Sequence, residues 1–215
     1  MELLSLDFLA RWSHTLFGIT WIGLLYYFNF IQGGYFKQAS PEALSDAKAK
    51  LAPSALWWFR WGAMFTFLTG LVLFGVVGDR ANSFIVLGAT MGTLMFLNVW
   101  LVIWPNQKIA LGLTPDQGGD AAAAGAKALL ASRTNTLFSA PMLMGMFGSF
   151  HGGGSGAAPL ASQGIGTGLI VALLIVLALE ANALIGKQGP MTTVKGVIVS
   201  SLVLTVVLAG ILQTL

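Results

Sequence analysis

The residues able to do chemistry in this chain are few, and most sit inside apolar runs. His14, Gly18 and Trp21 recur at i, i+4 and i+7 spacing and therefore share one helix face. A haem needs an imidazole with a small-residue groove beside it, and His14 next to Gly18 supplies both. The plainer reading of the same face is a histidine hydrogen-bonded for packing. His151 stands at the end of a later apolar run, before a glycine-rich stretch, and could share a site with His14. Met142, Met144 and Met146 offer thioethers, or simply packing. The chain has no cysteine, which excludes disulfides, iron–sulfur clusters, thiolate zinc sites and covalent haem.

An ionisable group in hydrocarbon costs roughly 2.5–3.5 kcal/mol, so each one needs a reason. Glu180 and Arg60 each lie five or six residues from the same side of their apolar runs. At 1.5 Å per residue both sit roughly 8 Å deep, which predicts an Arg60–Glu180 ion pair that fixes helix packing. The alternative is that Arg60 snorkels to the interface and Glu180 is neutral or paired with Asn182. Asn98, Asn106, Gln107 and Asn135 add amides on that same side, either lining a polar pocket or closing helix ends.

The elements that must position these groups follow from composition. Hydrophobic residues make up 56% of the chain and charged residues 9%, where a soluble domain has about 25% charged. Most of the surface therefore faces lipid. The expected fold is all-α: a single integral membrane domain over 1–215, a bundle of about six transmembrane helices at 6–31, 55–77, 81–104, 135–150, 166–185 and 193–215. Pro141 falls inside the fourth, which helix packing in a membrane tolerates. The 11 basic residues are scattered at helix ends rather than clustered, which argues against nucleic acid as a partner. Loops 32–54, 105–134 and 186–192 carry lysines; by the positive-inside rule they are cytoplasmic and both termini face outward. Residues 120–132, DAAAAGAKALLAS, suggest an interfacial helix within the second of these loops. Tyr26, Tyr27, Trp57, Trp58, Trp100 and Trp104 form an aromatic belt on the same side. The acidic start, MELLSLDF, lacks the basic flank of a signal peptide, so the first run is expected to remain as a helix.

Four segments carry a resemblance. RWSHTLFGITWIGLLYYFNF (11–30) is similar to the W-x-H-x-x-x-G-x-x-W-I-G pattern of the membrane domain of bacterial urate hydroxylases, also called the urate oxidase N-terminal domain. ALWWFRWGAMFTFLTGLVL (55–73), NVWLVIWPNQK (98–108) and SRTNTLFSAPMLMGMFGS (132–149) resemble three further family segments, in the family's order. The resemblance implies a membrane domain of purine degradation, oxidising urate toward 5-hydroxyisourate, with electrons passing to a cytochrome c. The 215 residues include no cytochrome counterpart. Gly62 stands where the family pattern has an acidic residue and Thr134 where it has a histidine. His151 falls one position late, and the third helix has no histidine.

Three functions compete. The first is a urate-hydroxylase-type oxidoreductase subunit in the bacterial inner membrane, working with a separate cytochrome. His14 and His151 would hold haem b, while Arg133, Asn135 and Asn106 would contact an anionic purine. The second is a non-catalytic membrane subunit or assembly factor of a respiratory or other redox complex, which the departures favour. The third is a small-molecule transporter with Arg60 and Glu180 on its pathway; the absence of an internal repeat speaks against it.

Overall fold

The computed structural model describes residues 5–113 and 120–215; the first four residues of the acidic start, and 114–119 of the second lysine loop, lie outside them. The described residues are almost entirely helical, and no strand is found among them. Helix α1 (Leu6–Tyr26) begins at Ser5, whose hydroxyl accepts from the Phe8 N–H, and runs on through a π-helical turn (Tyr27–Gln32) into α2 (Gly33–Gln38). Helix α3 (Pro41–Asp46), capped by Ser40, passes through a second π-turn into α4 (Ala52–Val77). Helix α5 (Ser83–Leu97), capped by Asn82, continues through a third π-turn (Asn98–Ile103) into α6 (Trp104–Ala110). Then come α7 (Ala121–His151), the single turn α8 (Leu160–Gln163), α9 (Thr167–Ile185) and α10 (Val194–Thr214).

Among the described residues, four helices are long and apolar enough to cross a membrane: Pro41–Arg80, Ser83–Ala110, Thr167–Ile185 and Val194–Thr214. The chain is thus a helical membrane protein, as composition required. The expected spans at 55–77, 81–104, 166–185 and 193–215 fall within or close to these. The fourth expected span differs. The helix that holds it opens at Ala121 rather than 135, because the alanine-rich segment is the first third of α7 and not a separate helix. Alanine has the highest helix propensity, and Asp120 accepts from the N–H groups of Ala122 and Ala123, so nothing interrupts the helix between them.

Consecutive helices run up and down. Arg11 lies over the Phe150 ring, 5.1 Å from its centroid, joining the start of α1 to the end of α7. The Leu160 N–H donates to the Ala81 carbonyl at 2.8 Å, bringing the turn after α4 to the loop after α7. Gly168 packs on the Ile211 carbonyl, placing the start of α9 beside the end of α10. The beginning of α1 and the end of α10 therefore occupy the same end of the bundle, and the lysine loops the other.

Helix α7 is the axis of this arrangement. Residues 131–139 are all buried, more than two full turns, so every face of the helix is covered. Helix α5 crosses it with backbones almost touching: a Cβ on Gly145 would stand 2.8 Å from the Gly88 Cα. Such small-residue crossings replace the hydrophobic driving force that helices lack in lipid. Pro141 removes one hydrogen bond from the middle of α7, orphaning the Leu137 carbonyl four residues back. Ser201 of α10 donates to that carbonyl at 2.8 Å. The proline is tolerated because a neighbouring helix completes the backbone pairing.

This pairing makes a prediction. Ser201→Ala should destabilise the bundle by about 1–2 kcal/mol by leaving a buried carbonyl unpaired. In a Pro141→Ala background the same change should be nearly silent, since the backbone N–H restored at position 141 fills the Leu137 carbonyl. A double-mutant cycle of unfolding in detergent measures the coupling; additive effects would contradict this role for Ser201.

Candidate functional site

Five consecutive polar residues, Ser132, Arg133, Thr134, Asn135 and Thr136, lie at the buried centre of α7. Burying a polar group without a hydrogen bond costs several kcal/mol in an apolar medium, so their partners define the site. Thr134 and Thr136 return their hydroxyls to the Leu130 and Ser132 carbonyls of their own helix. Asn29, in the π-turn after α1, donates to the Leu25 carbonyl and to Ser132 Oγ at 2.9 and 2.8 Å. Ser139 Oγ gives its proton to the Thr136 carbonyl, so the 2.9 Å contact with Tyr26 is donated by the tyrosine hydroxyl. Asn135 is fully engaged: its Oδ1 accepts from Asn98 at 3.0 Å and its Nδ2 donates to the Met95 carbonyl at 2.9 Å.

Arg133 is the exception. Its side chain is buried, at 8% exposure, and its Nε and Nη1 have no hydrogen-bond partner. The Oδ1 of Asn29 and the Oε1 of Gln32, both on the π-turn after α1, are likewise buried without a donor. Asn29 already touches Ser132, the neighbour of Arg133 in sequence. A guanidinium in this state attracts an anionic or carbonyl-rich ligand. Of the three residues expected to contact an anionic purine, Arg133 alone has unpartnered buried donors. Asn135 is consumed by its own network, and Asn106 spends its Nδ2 on the Val102 carbonyl at 2.8 Å.

The expected Arg60–Glu180 ion pair is not formed; each has another partner. Glu180 Oε2 accepts from Asn98 Nδ2 at 3.1 Å, joining the Asn98–Asn135 network. Arg60 instead places its guanidinium over the Trp104 ring, 3.8 Å from the centroid. The long arginine stem lets the charge travel along the helix toward the membrane edge, where an indole is available. Equal depth in the sequence did not imply adjacency around the bundle.

His14 faces α4. Its Nδ1 lies 2.9 Å from the Thr66 carbonyl and 3.2 Å from Thr69 Oγ1. A carbonyl only accepts, so Nδ1 carries the proton and Nε2 keeps its lone pair, the tautomer a metal-ligating histidine uses. The groove expected beside it is filled, however. A Cβ on Gly70 would stand 3.1 Å from His14 Cε1, one on Gly62 3.2 Å from the Trp21 backbone nitrogen, and one on Gly18 3.9 Å from Thr66 Cγ2. These glycines bring α1 and α4 into contact, and the residues present do not fit a macrocycle between them. His151 stacks on Phe147, with ring centroids 6.3 Å apart, and is exposed. The Arg11–Phe150 contact puts both histidines at one end of the bundle, but their partners lie on different helices.

The network also holds Asn29, Ser132, Ser139 and Ser201, none of them singled out by the sequence. The signal available was polarity inside an apolar run, which does not say which polar residue meets which. Asn98 is the node, since one amide serves both Asn135 and Glu180. Asn98→Leu should cost about 1–3 kcal/mol for each acceptor left bare, whereas Asn106→Leu, at the half-buried end of α6, should cost under about 1.5 kcal/mol. Thermal unfolding of the two variants in detergent decides it; equal losses would remove Asn98 from its central position.

Two comparisons return nothing: no curated protein and no solved structure matches the chain. The family model described as urate oxidase N-terminal matches residues 75–211. That stretch holds the segments 98–108 and 132–149, with Asn98, Arg133 and Asn135, while 11–30 and 55–73, with His14, lie before it. The match takes in most of the chain and all of its central helix, and the chain belongs to the urate oxidase N-terminal family.

Proposed function

We propose that this protein is a urate-hydroxylase-type subunit of the bacterial inner membrane that holds an anionic purine at Arg133 and passes electrons to a separate cytochrome. The observation that carries the reading is the buried Arg133 guanidinium with unpartnered Nε and Nη1. Urate is a planar anion rich in carbonyl oxygens and ring N–H groups. It offers acceptors to Arg133 and donors to the bare oxygens of Asn29 and Gln32. Urate plus water gives 5-hydroxyisourate, two protons and two electrons, so the reaction requires an external electron acceptor.

The topology suits this role. Arg133 is 18 residues from the end of α7, about 27 Å at 1.5 Å per residue, against a hydrocarbon core of about 30 Å. It therefore lies near the lysine-rich face, which the positive-inside rule makes cytoplasmic. In this arrangement α1 and α7 complete six crossings and both termini face outward. This reading assigns no residue to haem b.

A second reading, a non-catalytic subunit of a redox complex, is favoured by two positions. Gly62 and Thr134 stand where the family pattern has an acidic residue and a histidine. Gly62 is pressed against α1, and Thr134, with 0% exposure, hydrogen-bonds its own helix. Gly62 has no room for the missing side chain, and a histidine at 134 would stand in a fully buried position.

Binding separates the two. The purified protein should bind urate, and Arg133→Gln should weaken binding about 10- to 100-fold, the worth of charge-assisted hydrogen bonds. Because no protein group relies on Arg133 Nε or Nη1, the melting temperature of the variant should not fall. Calorimetric titration with urate is the measurement. An unaltered affinity in the variant, or none in the wild type, sinks the purine reading and leaves the non-catalytic one.

A further inference from the structure

Arg60, Trp104 and Lys108 form a second cationic feature, separate from Arg133 in its partners. The guanidinium of Arg60 lies 3.8 Å from the Trp104 ring centroid and the Lys108 ammonium 5.6 Å from it, so one indole carries two positive charges. Among the described residues the ion pairs are Arg11–Asp7 and Lys50–Asp46, and neither Arg60 nor Lys108 meets a carboxylate. Two like charges gathered on one ring repel, and they attract an anion.

The level of the cluster says which anion. Trp104 is 21 residues beyond Ser83, about 32 Å along the helix, at the boundary of a hydrocarbon core about 30 Å thick. That is the depth of lipid headgroups. Below it on the same helix, Leu101 and Leu97 are 69% and 40% exposed, three and seven residues before Trp104. On α4, Trp57 is exposed three residues before Arg60, and Trp61 packs on Trp100 with ring centroids 5.7 Å apart. A cationic head position thus continues directly into an apolar track.

We propose that Arg60, Trp104 and Lys108 form a binding site for the phosphate headgroup of an anionic phospholipid, with an acyl chain lying along Leu101 and Leu97. The two cations reach the phosphate oxygens while Trp104 holds them in place, and the leucines cover the chain. The cluster thereby ties α4 to the α5–α6 helix through the lipid as well as through the Trp61–Trp100 edge contact.

The test uses the full chain, delipidated in detergent, with phosphatidylglycerol, phosphatidylcholine and inorganic phosphate as probes, read by native mass spectrometry and melting temperature. Phosphatidylglycerol should be retained and should raise the melting temperature, and phosphatidylcholine should do neither. Each cation is worth about fivefold in affinity, so Lys108→Gln should weaken phosphatidylglycerol binding about fivefold and Arg60→Gln with Lys108→Gln about 25-fold. Lys108 is half-buried at a helix end, so its single variant stays informative if the double variant fails to fold. Equal binding of the two lipids, or unchanged affinity in Lys108→Gln, overturns the proposal. Inorganic phosphate stabilising the protein as strongly as phosphatidylglycerol also overturns it, in favour of a free-anion site.

Discussion

A helix that carries five polar residues in a row cannot stand against lipid, and that constraint organises the bundle. Hydrocarbon offers no hydrogen bonds, so the polar turns of α7 must be enclosed by protein on every side. Residues 131–139 are buried throughout, and the helices around them bring matching groups: Asn29 and Tyr26 from the end of α1, Asn98 from the π-turn after α5, Glu180 from α9 and Ser201 from α10. The same enclosure accommodates Pro141, whose missing backbone bond is replaced from outside the helix. Polar pairing sets which helix goes where, and the close glycine crossing of α5 on α7 sets how near.

Within so well matched a network, the atoms left over carry the information. Asn135 and Asn98 are spent on structure, and Arg133 is not. Conversely, Arg60 and Glu180, which as lone charges in a membrane suggested each other, are accommodated separately, one on an indole and one on an amide. Aromatic rings at the membrane edge let a cation stay near its helix without a carboxylate, and that arrangement leaves its charge available to lipid.

Membership of the urate oxidase N-terminal family rests on the matched stretch from the end of α4 through α10. The α1–α4 pair lies almost wholly before that stretch. Gly62 and Gly70 let α4 close on Trp21 and His14, turning a face that looked like a cofactor groove into a packing seam. His14 is held by Thr66 and Thr69 rather than presented to a cavity. With glycine at positions 62 and 70, contact between the two helices takes the place of room between them.

The residues alone settled that the chain is a helical membrane bundle, because runs as apolar as 166–185 and 193–215 can pair their backbones only as helices in lipid. The apolar runs at 55–77, 166–185 and 193–215 also end within a few residues of α4, α9 and α10, since polarity rises locally where a helix leaves lipid. They could not settle which polar residues meet. Hydrophobic period and depth are properties of one helix at a time, whereas adjacency around a bundle depends on how each helix is rotated. That rotation made Asn98 the partner of both Asn135 and Glu180, sent Arg60 to Trp104, filled the groove beside His14 and left Arg133 bare. The alanine-rich segment before residue 133 was ambiguous for a related reason: its composition suits a separate surface helix as well as the start of a longer one, and the structure shows it, largely exposed, running without a break into the buried stretch of α7.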